Sequence, residues 1–472
     1  MRALATGLLT LLVAACAPQQ AYLRPAVQLP ANWAPEAPWR EGTPNDSQAR
    51  GPWWKRFADP TLDALQEQAI ASSPSLTIAS ARLAQARASA QVSNASLFPQ
   101  LNIGTRVARN RISANRPLTN YNSPNFSTEQ NDFVPSLSVA YEADFFGRVQ
   151  STVDAATASA QQSAIDLENA RLLLSADLAS NYFNLRQLDI ELDVLAKSIA
   201  LQRRALELAT ARHDLGVTSG LDVAQQKALL DNTLTQVDVL KRQRDQFEHA
   251  IATLVGTPAP SFTLAAEVRP RIPPAIPLGV PSDLLERRPD VASAERSMAA
   301  ANAQIGAARA AYYPSITLAP SIGVESRRLV NLFDMPSLIW SLGGNLLVPL
   351  FDAGRVDANM AFAKAGYEAT VGNYRRVVLT AMQEVSDGIS GSEALDRALV
   401  QAEEARKSAE KVLDLATARY EGGAAAYLEV ITAQQSLLNS QRQVAQLLGQ
   451  RMLVSVFLIK ALGGDWDGKP KS

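Results

Sequence analysis

The sequence predicts a mixed α and β membrane protein with an internal duplication, and three observations predict it. Leu206–Gly216 recurs 207 positions later as Leu413–Gly423. A repeat with a period of about 200 residues is a duplicated domain rather than a solenoid. Apolar residues also recur every seven positions in both copies, which is typical of helices that coil around other helices. Two pairs of segments alternate polar and apolar residues with the period of a β-strand.

Composition excludes several classes of protein. The chain has 45 basic and 46 acidic residues, so it has no basic field for nucleic acid. One cysteine and two histidines exclude an intrachain disulfide and argue against a zinc site. His213 and His249 are the only imidazoles, and no Gly-rich phosphate loop is present. We therefore expect no catalytic site, no metal and no cofactor, and a protein that is not an enzyme.

The amino terminus has the pattern of an export signal. Residues 1–15 combine an early arginine with a short apolar run, which predicts a signal peptide. Val13–Cys16 resembles a bacterial lipoprotein signal box, so we expect lipidation of Cys16 and an extended, lipidated tether over 16–58. The alternative is an ordinary cleaved signal with an incidental cysteine. No later stretch is apolar for long enough to predict a spanning helix, so a membrane crossing must use strands.

The repeat divides the rest of the chain. We expect a first repeat over 59–257, a linker with equatorial residues over 258–282, a second repeat over 283–464 and a tail over 465–472. Each repeat contains one shorter helix, two strands and a long helical hairpin. The strands are expected at about 99–109, 133–146, 314–326 and 338–351, and the hairpins at 148–256 and 353–463.

The strands predict an assembly of several chains. Four strands do not close a barrel, and hydrocarbon does not tolerate unpaired edges. Their alternation is of the outer-membrane type, with one apolar and one polar face. Three chains would supply the strands for a closed twelve-stranded barrel with an open lumen. The alternative is a small soluble β-domain, whose sheet would also alternate.

Five segments of the chain carry a family pattern. They are Tyr141–Arg148, Leu285–Val291, Ala303–Ile316, Pro349–Arg355 and Arg419–Val430. In this order they resemble the outer membrane factors of tripartite efflux pumps. The resemblance is TolC-like overall and OprM-like or NodT-like in detail, which is the lipoprotein branch that works with RND transporters.

The resemblance implies an architecture and a function. It implies a homotrimer with a twelve-stranded barrel in the Gram-negative outer membrane, continued by a long α-helical barrel in the periplasm. The partners would be a periplasmic adaptor protein, an inner-membrane RND transporter and outer-membrane lipid, reached through the acyl chains. The function would be a passive exit duct for drugs or other small toxic compounds, opened when adaptor and pump dock. The alternatives are a type I protein-secretion duct and a structural envelope lipoprotein without a pore.

The resemblance also implies a gate at the periplasmic helix tips. Asp222 and Glu429 follow the two hairpin turns at equivalent positions of the repeat, and Tyr420 precedes the second turn. Related channels carry constricting or hydrogen-bonding residues at these places. At Ala425 the sequence departs from the pattern, because TolC-like members carry an arginine there. The alternative for both acids is a solvated helix N-terminus, where the helix dipole favours negative charge.

The turns themselves resemble the tips that meet the adaptor. The candidate contact residues are Gly216 and Val217 in the first turn, and Gly422 and Gly423 in the second. Glycine allows a partner's backbone to approach closely. It also serves as an ordinary helix C-cap, and both roles are compatible.

Overall fold

The computed structural model describes residues 51–116, 127–274 and 287–464, so Cys16 and the tail lie outside the described residues. The helices are α1 (Pro60–Ser72), α2 (Pro74–Ala95), α3 (Arg148–Asp214), α4 (Gly220–Leu254), α5 (Pro289–Ala310), α6 (Arg355–Glu421) and α7 (Tyr427–Ala461). The strands are β1 (Gln100–Ile112), β2 (Thr128–Glu142), β3 (Ser315–Leu318), β4 (Ser321–Val324), β5 (Leu338–Ser341) and β6 (Gly344–Leu347).

Two helical hairpins have the same dimensions. Helices α3 and α6 have 67 residues each, and α4 and α7 have 35 each. Each helix of the second hairpin begins and ends 207 positions after its counterpart, which is the offset of the sequence repeat. The helices run long because their heptads continue without proline. The outgoing helices end where Gly216 and Gly423 adopt left-handed φ angles of 75° and 73°.

The chain forms two compact units that are interleaved in sequence. One contains residues 83–163 and 294–374, and with them the sheet. The other, here called the helical unit, contains the described parts of 29–82, 164–293 and 375–472, and with them both hairpin turns. Each half of the sequence therefore contributes to both units.

One carboxylate organises the start of the helical unit. Asp59 accepts hydrogen bonds from the backbone N–H groups of Thr61 and Leu62 at 3.1 and 3.2 Å, which caps α1. Its second oxygen accepts hydrogen bonds from the Tyr182 hydroxyl at 2.8 Å and from Arg271 Nε at 2.7 Å. Asp59 thus connects α1, α3 and the linker.

Aromatic residues at the end of the tether enter the core of the same unit. Trp53–Phe57 is a short 3-10 helix rather than the extended segment that the sequence predicted. Trp53 is buried, and its indole N–H donates to Ser175 Oγ at 3.0 Å. These residues show no period, but three aromatic side chains in five residues bury enough apolar area to stabilise the turn. The surrounding core includes Leu62, Tyr182, Phe183, Leu185, Ile251, Val255, Met452, Val456 and Ile459.

The sheet has four strand positions, although two of them are interrupted. Strand β1 pairs with β2, and β2 pairs with both β3 and β4, which pair with β6 and β5. The predicted strands 314–326 and 338–351 are each divided in two, around Pro320 and Gly343. Pro320 has no N–H for the ladder. The register nevertheless continues across the breaks, because β2 meets β3 and β4 without a shift.

The hairpin of β1 and β2 is longer than predicted. The predicted segments 99–109 and 133–146 follow the apolar alternation, which stops before the pairing does. The ladder continues to Ile112 opposite Thr128, through residues that are polar on both faces. Backbone hydrogen bonds need no apolar side chain, so the alternation marks the apolar part of a strand and not its whole length.

One described helix, α7, is long and apolar enough to cross a membrane by length and composition. The expectation that no later stretch meets this criterion was therefore wrong. Half of the apolar window is buried inside the protein. Met452, Val456 and Ile459 on this helix belong to the core cluster described above, so the apolar composition of α7 serves packing between helices.

Replacing Leu185 by Ala should lower the free energy of unfolding by about 2–5 kcal/mol, since its fully buried side chain leaves a cavity. The control is Leu201→Ala on the same helix, where the side chain is 55% exposed and the change should stay within about 0.5 kcal/mol. Urea unfolding of the detergent-solubilised variants, followed by circular dichroism, measures both. Equal losses in the two variants would contradict the position of this core.

Candidate functional site

The sheet has an apolar face built from aligned side chains. In the pairing register, Ile103 lies opposite Leu137, Leu137 opposite Ile322, and Ile322 opposite Trp340. These four side chains form one row across all strand positions, because residues that pair directly share a face. All four are at least partly exposed in the chain. A row of large apolar groups without protein cover requires an apolar surrounding.

The opposite face of the sheet is polar. The next row consists of Asn102, Ser138, Ser321 and Ser341, which pair in the same register. Farther along this face, Arg106 Nη2 lies 2.7 Å from Asp132 Oδ2. A sheet with one apolar and one polar face fits lipid on one side and water on the other.

The two outer edges of the sheet lack partners within the described residues. Strand β1 pairs with β2 alone, while β5 and β6 pair only with β4 and β3. Each edge presents a row of N–H and C=O groups that the ladder leaves unused. Such an edge is a template for pairing with another chain.

The first hairpin turn is closed by backbone hydrogen bonds. Val217 N donates to Arg212 O at 2.9 Å and Gly216 N to His213 O at 2.8 Å, which is the Schellman arrangement. Ser219 then caps α4, where its hydroxyl accepts the N–H of Asp222 at 3.4 Å. The first of the two candidate gate acids therefore sits in the first turn of a capped helix.

The second turn uses the same backbone closure without the cap. Ala424 N donates to Arg419 O at 2.8 Å and Gly423 N to Tyr420 O at 3.0 Å. Ala426 stands where the first turn has serine and offers no side-chain cap. The Arg419 guanidinium donates instead to Ala424 O at 3.3 Å and to Glu429 at 3.2 Å, so an ion pair stands at this turn in place of a cap.

The two candidate gate acids are therefore not equivalent. Glu429 is exposed but neutralised by its ion pair with Arg419. Asp222 is half-buried, and its carboxylate makes no hydrogen bond or ion pair within the described residues. Arg212, which is the counterpart of Arg419 in the repeat, lies over the ring of Tyr420 at 5.4 Å instead. Asp222 is thus the acid whose negative charge remains available.

Tyr420 is part of a small aromatic cluster at the second turn. Its ring lies 4.9 Å from the ring of Tyr427. The Tyr427 hydroxyl donates a buried hydrogen bond to Gln226 Oε1 at 3.0 Å, which joins the two hairpins across 201 residues of sequence. The Tyr420 hydroxyl is buried and has no hydrogen-bond partner within the described residues. Burial, with Tyr420 and Asp222 nearby, raises the pKa of Tyr427 to about 12, so its hydroxyl remains protonated at neutral pH.

Tyr427 and Gln226 are two site residues that the sequence-based predictions do not include. A signal for Gln226 was present, because it is the companion position between Val223 and Leu230 in the heptad pattern. A glutamine in a core heptad position requires a partner, as does any buried amide. Nothing local in the sequence identifies that partner, since it comes from the other hairpin.

The candidate docking residues have the geometry of helix C-caps. Gly216 and Gly423 occupy the left-handed region, and a Cβ at either would meet nothing within 4 Å. Gly422 N donates to Ala418 O at 3.0 Å. Val217 is exposed, as are two further apolar side chains of the first turn, Leu215 and Leu221. The capping role is confirmed by these contacts, and contact with an adaptor stays a prediction.

The described residues contain no group of three or more His, Cys, Asp or Glu side chains that could hold a metal ion.

Comparison with protein families matches residues 65–257 and 280–464 to the outer membrane efflux protein model. Among relatives, the pyoverdine export outer membrane protein OpmQ of Pseudomonas aeruginosa is 32% identical, covering 97% of this chain and 95% of the relative. The toluene efflux pump outer membrane protein TtgF of Pseudomonas putida is 31% identical, covering 94% and 93%.

Solved structures of the same kind share the fold. The crystal structure of a membrane protein from Pseudomonas aeruginosa has a TM-score of 0.87 and 30% identity, over 96% of this chain and 99% of that one. The open state of the outer membrane channel MtrE from Neisseria gonorrhoeae has a TM-score of 0.77 and 26% identity, over 93% and 98%.

Replacing Tyr427 by Phe should lower the free energy of unfolding by about 1–3 kcal/mol, because Gln226 Oε1 then loses its donor in a buried place. Tyr420→Phe is the matched control, since it removes a hydroxyl without a partner within the described residues and should cost nothing within a single chain. Thermal or urea unfolding of the solubilised variants provides the measurement. If Tyr420→Phe lowered the free energy of unfolding of monomeric protein more than Tyr427→Phe does, the hydrogen bond between Tyr427 and Gln226 would not be the stabilising contact of this cluster.

Proposed function

The chain belongs to the outer membrane efflux protein family, and we propose that it is the outer-membrane channel of a tripartite RND-type efflux pump. Its location is the outer membrane of a Gram-negative bacterium. The observation that carries the proposal is the sheet with one apolar face, one polar face and two open edges. A channel wall needs each of these features, whereas an enzyme or a coiled-coil spacer needs none of them.

The channel is a homotrimer. Four strand positions per chain and three chains give twelve strands, and closure removes both open edges of every copy. The Ile103–Trp340 row would then face lipid and the Asn102–Ser341 row the lumen. The internal duplication gives each chain two hairpins of equal length, so a trimer contains six hairpins in the periplasmic helical barrel.

The amino terminus anchors the chain to the outer membrane. Cys16 carries the acyl chains, and the tether leads from there to Trp53, which is buried in the helical unit. The anchor is thus continuous with a packed part of the protein. Anchoring by lipid and spanning by strands are compatible, because they use different parts of the chain.

The channel conducts passively. Energy for transport comes from an inner-membrane RND transporter, joined to the channel through a periplasmic adaptor, as the relatives that are components of efflux pumps support. Two relatives of almost equal identity carry pyoverdine and toluene in their names, so overall similarity does not specify the cargo.

The gate lies at the two hairpin turns. Within the described part of the chain, Asp222 has an unpaired charge and Tyr420 has a buried hydroxyl without a partner. Glu429 forms an ion pair with Arg419. In the trimer, Tyr420 and Asp222 would meet groups of adjacent hairpins and hold the aperture closed. Arg212 and Arg419 supply positive charge at these turns, although Ala425 stands where TolC-like members carry an arginine.

Replacing Asp222 by Ala and Tyr420 by Phe together should raise the single-channel conductance in a planar bilayer, because the closing contacts are lost. Asp238→Ala, which removes an exposed acid midway along α4, is the control and should leave conductance unchanged. If the double variant keeps both the conductance and the antibiotic sensitivity of the parent, the gate does not lie at these residues.

Large side chains at Gly216 and Gly423 should abolish crosslinking to the adaptor, because these turns would be the docking surface. Gly372 on α6 is the control, since a Cβ there also meets nothing within 4 Å and its φ is not positive. Circular dichroism and oligomeric mass identify variants that misfold through strain at positive φ. Preserved crosslinking and full efflux in folded variants would exclude docking at the turns.

A further inference from the structure

The loop between β4 and β5, residues 325–337, exposes large apolar side chains. They are Leu329 at 64%, Val330 at 76%, Phe333 at 85% and Met335 at 80% exposure. The loop connects strands at the end opposite to the one where the chain leaves the sheet for α3 and α6. Four such groups in one short loop, here called the apolar patch, expose a surface that water does not favour.

The exposed apolar side chains belong to a loop that is itself folded. Two 3-10 turns, Leu329–Asn331 and Met335–Ser337, shape it. Ser337 Oγ donates to Asn331 O at 2.7 Å, and Glu325 N donates to Ser337 O at 2.8 Å. Leu332 turns inward and is buried. The outward side chains are therefore held in place by the loop's own hydrogen bonds.

The patch continues the apolar face of the sheet. Val324 lies opposite Leu338 as the last pair before the loop, two positions beyond the pair of Ile322 and Trp340. Because positions two apart share a face, Val324 and Leu338 extend the row that faces lipid in the proposed channel. The loop thus begins where the membrane-facing surface ends.

Positive charge accompanies the apolar patch. The guanidinium groups of Arg327 and Arg328 contact no acceptor within the described residues. At the outer end of β1, Arg109 and Arg111 share a single carboxylate, Glu129, at 3.3 and 3.9 Å. Over residues 108–131 and 325–337 the sequence has five arginines against three carboxylates, in a chain whose total charge is −1.

We propose that loop 325–337 binds a phosphorylated lipid of the outer leaflet, with Arg327 and Arg328 on its phosphate groups and Phe333 and Met335 among its acyl chains. The inference rests on the proposed function, because it requires this end of the sheet to reach the outer leaflet. A second copy is the rival occupant. Charge disfavours it, since in the trimer β5 would border β1 of the next copy, whose outer end carries Arg109 and Arg111.

Native mass spectrometry of the purified full chain, incubated with diphosphorylated lipid A, tests the proposal. Arg327→Ala with Arg328→Ala should weaken lipid A retention at least about tenfold, because each substitution removes an ionic contact between a guanidinium group and a phosphate. Phe333→Ser with Met335→Ser should weaken it as well. The matched control is Arg203→Ala with Arg204→Ala, an exposed arginine pair on α3, which should retain the parent affinity.

The outcomes separate the possibilities. The proposal is overturned if the variant of Arg327 and Arg328 retains lipid A as well as the control variant of Arg203 and Arg204 does. It is also overturned if millimolar inorganic phosphate displaces lipid A, because the site would then bind free anions. Loss of the trimer mass in the loop variants alone would assign the loop to a second copy. Planar-bilayer conductance is measured in parallel. A parent without conductance refutes the proposed function, whereas conducting variants with unchanged lipid retention refute only the lipid site.

Discussion

The constraint on which the molecule depends is the pairing of strand edges in an apolar medium. The sheet alternates an apolar row through Ile103 and Trp340 with a polar row through Asn102 and Ser341. Such a sheet is soluble neither in water nor, while its edges remain open, in hydrocarbon. Closure through other copies, as in the proposed trimer, would remove both difficulties at once. The membrane location and the proposed oligomer and lumen therefore have one physical cause.

Duplication explains the shape of each hairpin but not the chemistry at the turns. The outgoing and returning helices have equal lengths in both copies, and both turns close with the same backbone hydrogen bonds. The side chains have diverged. Where the second copy packs Tyr420 on Tyr427, the first has His213 near Gly220, which leaves no side chain to pack against. The second turn thus contains the small aromatic cluster of Tyr420 and Tyr427, which the first turn lacks.

Sequence periods predicted the long helices and the strand positions, because these follow from apolar patterning that neighbouring residues share. Strand ends were less predictable. The β1–β2 ladder runs beyond the apolar alternation, and Pro320 and Gly343 interrupt strands whose register continues. Resemblance and position in the repeat predict the candidate gate residues Asp222, Tyr420 and Glu429. Their different electrostatic states arise from contacts with Arg212 and Arg419, and the Tyr427–Gln226 bond joins residues 201 apart. No local pattern encodes such partners.

Two features of the single chain contain polar groups without hydrogen-bond partners among the described residues. Among the residues that the structure describes, the sheet leaves ladder groups without partners at its edges, and the buried hydroxyl of Tyr420 has none either. A buried donor that makes no hydrogen bond costs about 1–3 kcal/mol. These defects lie in different compact units, so they do not share a local cause. Association of identical chains, as in the proposed trimer, would resolve both. If Tyr420 is satisfied only across a subunit boundary, its hydrogen bond reports the spacing between neighbouring hairpins, which is the quantity that a gate must control.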